Sequence, residues 1–212
     1  MMDDLTLRRA TDEDMGGIFR LLREVFTGEQ RIPAELIPLP PEQSPQWWWC
    51  ALVGGEIAGA VAAWKVEGQT HWGRFATKGS LRGRRIGTRL AAFSFDDLFA
   101  GGCGEVYMDA RETTVEIVCK MGGRVAGEPL EFYGSSVTPV VLRGVDFFDR
   151  RPSGGPQRAI DPALAVRLPG KALTRVRRAN ASNVTNQYMS GRVEYLPHSL
   201  VCQAKRFYKG II

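Results

Sequence analysis

The sequence predicts an α+β fold in which helices flank a mixed, mostly antiparallel central sheet. Three observations predict it. Residues 47–66 form a strand–turn–strand pattern with Gly54-Gly55 as its two-residue turn. Apolar residues recur at helical spacing after residue 12 and after residue 86. A helical crossover joins a strand at residues 71–77 to a second strand at residues 105–110, so these two strands are expected to be parallel neighbours.

Length and composition are those of a globular protein. The chain has 212 residues, of which 44% are apolar and 24% charged, enough for one core and an appendage. No apolar run approaches the roughly 20 residues of a membrane span. The first ten residues lack the pattern of a secretory signal, so we expect a cytoplasmic protein. The four cysteines and two histidines have no paired spacing, so we expect neither a disulfide framework nor a metal site.

Charge is distributed unevenly along the chain. Residues 1–149 hold 16 Lys and Arg against 21 Asp and Glu, whereas residues 150–212 hold 12 against 2. We predict a folded domain over residues 1–146 and a basic C-terminal extension over residues 147–212, which starts with a linker-like stretch rich in Pro, Gly and Arg. The extension is either docked on the domain or partly disordered. Its charge could attract nucleic acid, an anionic membrane or an acidic ligand, or could neutralise the acidic domain.

The first helix and the following loop are predicted from local signals. Thr11 and Asp14 form a capping-box pattern that opens a helix with one apolar face, and the helix ends near Gly28. The proline-rich segment that follows is expected to cross the surface or the mouth of a site. Glu29 and Gln30 lie at its start and are therefore candidates for a pocket.

Three consecutive tryptophans occupy the first strand of the hairpin. Trp48 must face the opposite side of the sheet from Trp47 and Trp49. Helices covering both faces explain this pattern, and an aromatic wall for an acyl chain or substrate is the alternative.

A basic turn joins the strand at residues 71–77 to the helix that begins near Ile86. Backbone N–H groups at a helix start have no helical partner, and the helix dipole is positive there, which favours anions. Arg82, Arg84, Arg85 and Arg89 add positive charge suited to a pyrophosphate. The alternative is an ordinary solvated basic helix start.

This turn resembles a motif of the GNAT superfamily of acyl-CoA-dependent N-acyltransferases. Arg82-Gly-Arg-Arg-Ile-Gly87 matches the first and last positions of the R/Q-x-x-G-x-G/A motif, whereas Arg85 replaces its middle glycine. Further segments resemble the ElaA-like branch in the same order: residues 24–30 with Ile32-Pro33, residues 73–76, and residues 127–130 with Gly134. The resemblance covers about residues 4–143 and does not reach residues 150–212.

The resemblance implies a GNAT-type sheet whose parallel strands splay apart at the coenzyme A site. It implies acyl-CoA as co-substrate, no metal, and transfer of an acetyl group from acetyl-CoA to the amine of a small molecule by direct attack. Use of a longer acyl-CoA, or a degenerate domain acting as a binding module through its basic tail, are the alternatives. The implied coenzyme A-binding residues are Phe75, Ala76, Thr77, Arg82, Gly83, Arg84, Arg85, Ile86, Gly87 and Thr88, and the amides of residues 75–77 are expected to stabilise the oxyanion.

Two departures from the family pattern concern proton transfer. Val118 stands where family members commonly have a Tyr that protonates the leaving thiolate, and Gly73 stands where many have a Glu as general base. The candidate catalytic residues are Glu29, which we favour as base, then His71 and Glu112, with Cys119 as an acid. Each also has a structural alternative, such as a surface ion pair, a helix start or inert core packing.

The acceptor side is predicted less specifically. Glu29, Gln30, Trp48 and Arg74 are the candidate substrate-binding residues. The acceptor is expected to be a small-molecule amine, and the basic extension would favour an anionic one. A homodimer, and binding of nucleic acid or an anionic membrane through the extension, stay open as alternatives.

Overall fold

The computed structural model describes residues 4–39 and 46–150. The strands within these residues are β1 Leu5–Arg9, β2 Gln46–Val53, β3 Glu56–Val66, β4 Gln69–Thr77, β5 Glu105–Ala110, β6 Arg124–Val125, β7 Leu130–Phe132 and β8 Ser135–Arg143. The α-helices are α1 Asp12–Leu22, α2 Ile86–Ala100, α3 Glu112–Lys120 and α4 Gly144–Asp149. A π-helical segment, Arg23–Glu29, continues α1, and single 3₁₀ turns lie at Ala34–Leu36 and Gly79–Leu81. None of these helices is long and apolar enough to cross a membrane.

One sheet runs through the described residues in the order β1-β2-β3-β4-β5-β8-β6, and β7 pairs with β8 beside it. Strands β4 and β5 are parallel, and the other pairs are antiparallel. Helix α2 makes the crossover between the two parallel strands. The predicted fold class, a mostly antiparallel sheet with one parallel pair, is therefore confirmed.

The β2–β3 hairpin follows its sequence pattern closely. Gly54 and Gly55 have φ of +58° and +81°, the left-handed conformation that a two-residue hairpin turn requires. Trp49 is fully buried on the face covered by α2, where its Nε1 donates to Asp97 Oδ2 at 2.7 Å. Trp48 lies on the other face, packed with the residues of α1. Helices cover both faces of the hairpin, as the alternation of the tryptophans predicts.

The core has one apolar layer on each face of the sheet. Helix α1 and the π-helical segment pack on one face through Ile18, Leu22, Val25 and Phe26. Helix α2 packs on the other face through Leu90, Phe95 and Phe99, and α3 and α4 contribute Val118 and Phe147 there. The capping box predicted at the start of α1 is present between Thr11 and Asp14.

The sequence did not predict β7 or α4. Phe147, expected at the start of a linker-like stretch, is instead 5% exposed, and its ring centroid lies 6.0 Å from that of Phe95 and 5.5 Å from that of Phe99. A helix of six residues is too short to show an apolar period, so only its packing reveals it. The division at residue 146 stays a prediction, and the extension lies outside the described residues from residue 151 onward.

Candidate active site between the splayed strands

Strands β4 and β5 separate after a single ladder pair. Residue His71 pairs with Tyr107, and no further ladder pair joins the two strands. The register of β4 against β3 shifts between the pairs Ala62–Gly73 and Ala60–Ala76. This is a β-bulge, which bends a strand and increases its twist. The main chain of residues 74–77 therefore lacks a strand partner on the side of β5.

A cavity of about 570 Å³ opens at this separation, within the usual range for small-molecule sites. Its floor is formed by β4 and β5. The α2 side of the cavity is lined by Leu81, Arg82, Gly83, Arg85, Ile86, Gly87, Thr88, Thr113, Thr114 and Ile117. The α1 side is lined by Val25, Phe26, Glu29, Gln30, Ile32, Phe132 and Val137, and Arg111 lies at the end of β5. The cavity thus connects the two faces of the sheet.

The start of α2, where the sequence predicts an anion cradle, lies at the cavity. Arg85 precedes the helix in the left-handed conformation, with φ of +59°. A non-glycine residue there is strained by about 1 kcal/mol, which accounts for the glycine that the related motif has at this position. The amides of residues 86–88 belong to the first helical turn and have no helical acceptor. They line the cavity and point to an anionic ligand.

Gly87 lets α2 approach β4 closely. A Cβ atom built on Gly87 would lie 3.1 Å from Phe75 Cζ and 3.1 Å from Thr77 Oγ1. A larger residue would therefore push the helix start away from the bulged strand. This close approach places the free amides of the helix beside the unpaired edge of β4, which suits a ligand with a phosphate end and an extended arm.

An ion pair spans the mouth of the cavity. Arg82 Nη2 lies 2.7 Å from Glu29 Oε2, and Arg82 Nε donates to the carbonyl oxygen of Thr77 at 3.2 Å. The Glu29 and Arg82 side chains are 40% and 48% exposed, so the pair contributes little to folding stability. It joins the residue predicted as base to a residue predicted to hold phosphate.

The π-helical segment places Glu29 and Gln30 at the cavity. The amide of Gln30 donates to the carbonyl of Val25 at 3.1 Å, and that of Ile32 to the carbonyl of Phe26 at 2.9 Å. A π turn is wider than an α turn and is frequently found at functional sites. The sequence predicted the helix end near Gly28 but contained no signal for the change of helix type.

Arg74 is fixed deep in the floor. It is 2% exposed, and Nε and Nη2 donate to the carbonyls of Ile37 and Leu36 at 2.7 and 2.9 Å. Its guanidinium carbon lies 5.5 Å from the ring centroid of Trp64, and burial lowers the pKa of Arg74 to about 9. Arg74 therefore ties the segment after the π helix to the bulge, and its predicted role in substrate binding stays a prediction.

The predicted catalytic residues divide into two groups. Glu29 and His71 line the cavity. His71 is 2% exposed, with its ring centroid 6.0 Å from that of Trp64 and 6.1 Å from that of Tyr107. Glu112 and Cys119 do not line it, since Glu112 lies exposed in the first turn of α3 and Cys119 near its end.

Two other predicted site residues lie outside the cavity lining. Trp48 packs edge-on against Phe19, with centroids 5.8 Å apart, and Arg84 is exposed. Val118, at the position of the missing Tyr, is fully buried in the core. The remaining predicted coenzyme A-binding residues all line the cavity, although their roles stay predictions.

Sequence reasoning missed Asp109 and Arg111, which line the cavity at the end of β5. Asp109 lies in β5 directly before Ala110, and Arg111 directly follows the strand, so closeness to the end of a well-predicted strand was the available signal. Within residues 4–39 and 46–150, no group of three His, Cys, Asp or Glu residues is placed to hold a metal ion.

Residues 17–120 match the sequence model of the Acetyltransferase (GNAT) family. No curated protein matches the chain.

Three solved structures illustrate the likeness of the fold. Escherichia coli ElaA is 16% identical with a TM-score of 0.58, covering 65% of this chain and 99% of its own. An acyl-CoA N-acyltransferase from Pseudomonas aeruginosa is 18% identical with a TM-score of 0.55, covering 65% and 97%. FeeM, an N-acyl amino acid synthase from uncultured soil microbes, is 9% identical with a TM-score of 0.56, covering 69% and 94%.

Proposed function

We propose that this chain is a GNAT-type transferase that moves an acetyl group from acetyl-CoA to the amine of a small molecule, since residues 17–120 match the Acetyltransferase (GNAT) family model and the fold is similar to that of ElaA. The observation that carries this proposal is the separation of β4 and β5 beside the free amides of α2. Such a gap admits an extended thioester arm, and the helix start receives its phosphates.

The residues present fit coenzyme A. The amides of residues 86–88 and the guanidinium groups of Arg82 and Arg85 would hold the pyrophosphate. The unpaired main chain of residues 75–77 would bind the arm and donate to the thioester oxygen, where negative charge develops during attack. The close packing at Gly87 fixes the position of the helix amides relative to the main chain of β4.

Attack requires a neutral amine beside the thioester. An amine of pKa near 10 is only about 0.1% neutral at pH 7, so a base or a water relay accelerates the reaction. We propose Glu29 as this base. It lies at the cavity mouth, and its oxygens keep free lone pairs beside the hydrogen bond from Arg82. His71, in the cavity floor, is the second candidate.

The leaving thiolate needs little assistance from the protein. Thiols have a pKa of about 8.5, so a thiolate leaves far more readily than an alkoxide. Val118 offers no proton and is buried. Water or the acceptor's own proton can complete the transfer, and the absent Tyr should slow the reaction rather than abolish it.

The apolar lining of the α1 side favours a longer acyl donor as a second candidate. Phe26, Ile32, Phe132 and Val137 lie there, and FeeM, with a similar fold, is named as an N-acyl amino acid synthase. A panel of acyl-CoA donors decides between the two candidates. Preference for acetyl-CoA supports the first, and preference for medium-chain thioesters supports the second.

The proposed function is tested by thiol release from acetyl-CoA with a panel of amines and by calorimetric binding of coenzyme A. Gly87→Val is expected to weaken coenzyme A binding about tenfold or more, because its side chain meets Phe75 and Thr77. Gly16→Ala is the control, since a Cβ there meets nothing within 4 Å.

Glu29→Gln is expected to lower kcat about 10²-fold without weakening coenzyme A binding, whereas the exposed Glu24→Gln should do neither. Absence of both binding and thiol release would refute the proposal.

A further inference from the structure

Arg111 links the end of β5 to the α1 side of the cavity. Its carbonyl accepts the amides of Thr114 and Val115 at 2.8 and 2.9 Å, which starts α3. Its side chain turns the other way, with the guanidinium carbon 6.0 Å from the ring centroid of Phe132. The backbone of Arg111 therefore has a structural role that a substitution of the side chain would preserve.

The guanidinium of Arg111 makes only weak hydrogen bonds. Nε lies 3.4 Å from Gln30 Oε1 and Nη1 lies 3.5 Å from the carbonyl oxygen of Ser136. Both contacts are long, and both acceptors are neutral. Nη2 is buried and has no hydrogen-bond partner among the described residues. Burial also lowers the pKa of Arg111, since a cation removed from water loses solvation.

Five other arginines of the described domain are bonded to carboxylates, whereas the buried Arg74 donates to backbone carbonyls. The pairs are Arg8–Asp14, Arg9–Asp97, Arg82–Glu29, Arg124–Asp146 and Arg143–Asp146. Within residues 4–39 and 46–150, no carboxylate lies within ion-pair distance of Arg111. A buried N–H of a cation without an acceptor is costly, and a planar guanidinium matches the two oxygens of a carboxylate.

The position of Arg111 indicates which substrate would bring that carboxylate. Its side chain lies among Gln30, Phe132 and Ser136, on the face of the sheet that carries α1. The anion cradle at residues 85–88 belongs to α2, on the opposite face. An anion at Arg111 therefore belongs to the acceptor rather than to the phosphates of coenzyme A.

We propose that Arg111 binds a carboxylate of the acceptor, so that the substrate class is amines that carry a carboxylate, such as amino acids. This inference rests on the proposed function. The Nη2 group would donate to one carboxylate oxygen, and Gln30 would supply a neutral donor or acceptor beside it. Phe132 would contact the acceptor's apolar part.

The test compares acceptors that differ only in charge. L-amino acids and their primary amides are offered with acetyl-CoA or the best donor of the panel, and kcat/KM is measured for both members of each pair. The amides have more neutral amine at pH 7, so chemical reactivity alone favours them. We expect the acids to be preferred about tenfold or more, the effect of a charge-assisted hydrogen bond.

Variants assign this preference to one side chain. Arg111→Gln should bring the acid-to-amide ratio down to about 1 or below while amides are still acylated, and Arg111→Lys should retain part of the preference. Arg20→Gln, an equal change of charge at an exposed position of α1, should leave the ratio unchanged. Equal use of acids and amides by the unaltered protein, or a ratio that survives in Arg111→Gln, would overturn the assignment.

The outcomes separate this inference from the proposed function. Coenzyme A binding and acylation of amides without any preference for acids would contradict only the role of Arg111. If neither member of a pair is acylated, the same pairs are titrated calorimetrically into the protein–coenzyme A complex. Tighter binding of acids that is lost in Arg111→Gln would support the inference, and equal binding would overturn it.

Discussion

The carboxylate of Asp14 accepts four hydrogen bonds. Arg8 Nη2 donates to Oδ1 at 2.8 Å, while Oδ2 accepts from Arg8 Nη1 and from the amide and hydroxyl of Thr11 at 2.7 and 2.9 Å. These hydrogen bonds, above all those from Arg8, lower the pKa of Asp14 to about 2. One side chain thereby joins β1 to the start of α1.

The lowered pKa predicts an acid-dependent loss of stability. Because the folded pKa lies below the unfolded value, the contribution of Asp14 is complete above pH 4 and is lost as pH falls toward 2. We expect Asp14→Asn to lower the free energy of unfolding by about 2 kcal/mol at pH 7, and the difference should shrink below pH 4. Chemical denaturation at several pH values measures this.

Asp12→Asn provides the control for that series, because Asp12 is exposed in the same first turn. Its effect should stay below about 1 kcal/mol, the usual range for an exposed charge at a helix end. A difference between Asp14→Asn and the unaltered protein that stays constant from pH 7 to pH 2 would contradict the assigned pKa.

Two adjacent glycines in α1 are expected to respond oppositely to substitution by Ala. A Cβ on Gly16 would meet nothing within 4 Å, whereas a Cβ on Gly17 would lie 2.9 Å from Ile57 Cγ1 on β3. Gly16→Ala should therefore stabilise the protein by about 0.5–1 kcal/mol through helix propensity. Gly17→Ala should destabilise it by about 1–3 kcal/mol through overpacking.

Thermal and chemical denaturation of the two variants compare these effects directly. Each substitution adds one methyl group to the same helix, so propensity is matched and only the contact with β3 differs. Equal stabilisation by both would show that α1 does not pack closely on β3 at Gly17.

The elements that could be predicted from the sequence are those whose signals are local. The two-residue turn at Gly54-Gly55, the bounds of β5 and the start of α2 each follow from a few consecutive residues. The bulge at Arg74 and the single pair between β4 and β5 depend on the register of three strands. No local pattern encodes that register, although the family resemblance predicted that β4 and β5 separate.

The same distinction explains what could be predicted of the site. The predicted anion cradle lies in one contiguous turn, so its residues could be nominated without a fold, and their role stays a prediction. Arg111 approaches Gln30 and Ser136, which are 81 and 25 residues away in the chain. Such a convergence exists only in the folded domain, so no pattern in the sequence singled out Arg111.

At the scale of the whole domain, α4 closes one of the two apolar layers at the C-terminal end of the described residues. Phe147 contacts Phe95 and Phe99 and is 5% exposed, whereas Phe148 is 45% exposed. Residues 144–149 therefore complete the core layer that also carries α2 and α3. The packing of Phe147 predicts that the cooperative unit extends past residue 146, the end of the domain predicted from composition.

This packing predicts how the protein responds to changes near its predicted boundary. Phe147→Ala in the full chain should lower the free energy of unfolding by about 3–5 kcal/mol, the cost of truncating a buried Phe. Phe148→Ala should cost about 1 kcal/mol or less.

A chain ending at residue 150 should unfold cooperatively, whereas a chain ending at residue 146 should show the loss seen in Phe147→Ala. Equal stabilities for the two shortened chains would place α4 outside the cooperative core and move the domain's end back to residue 146.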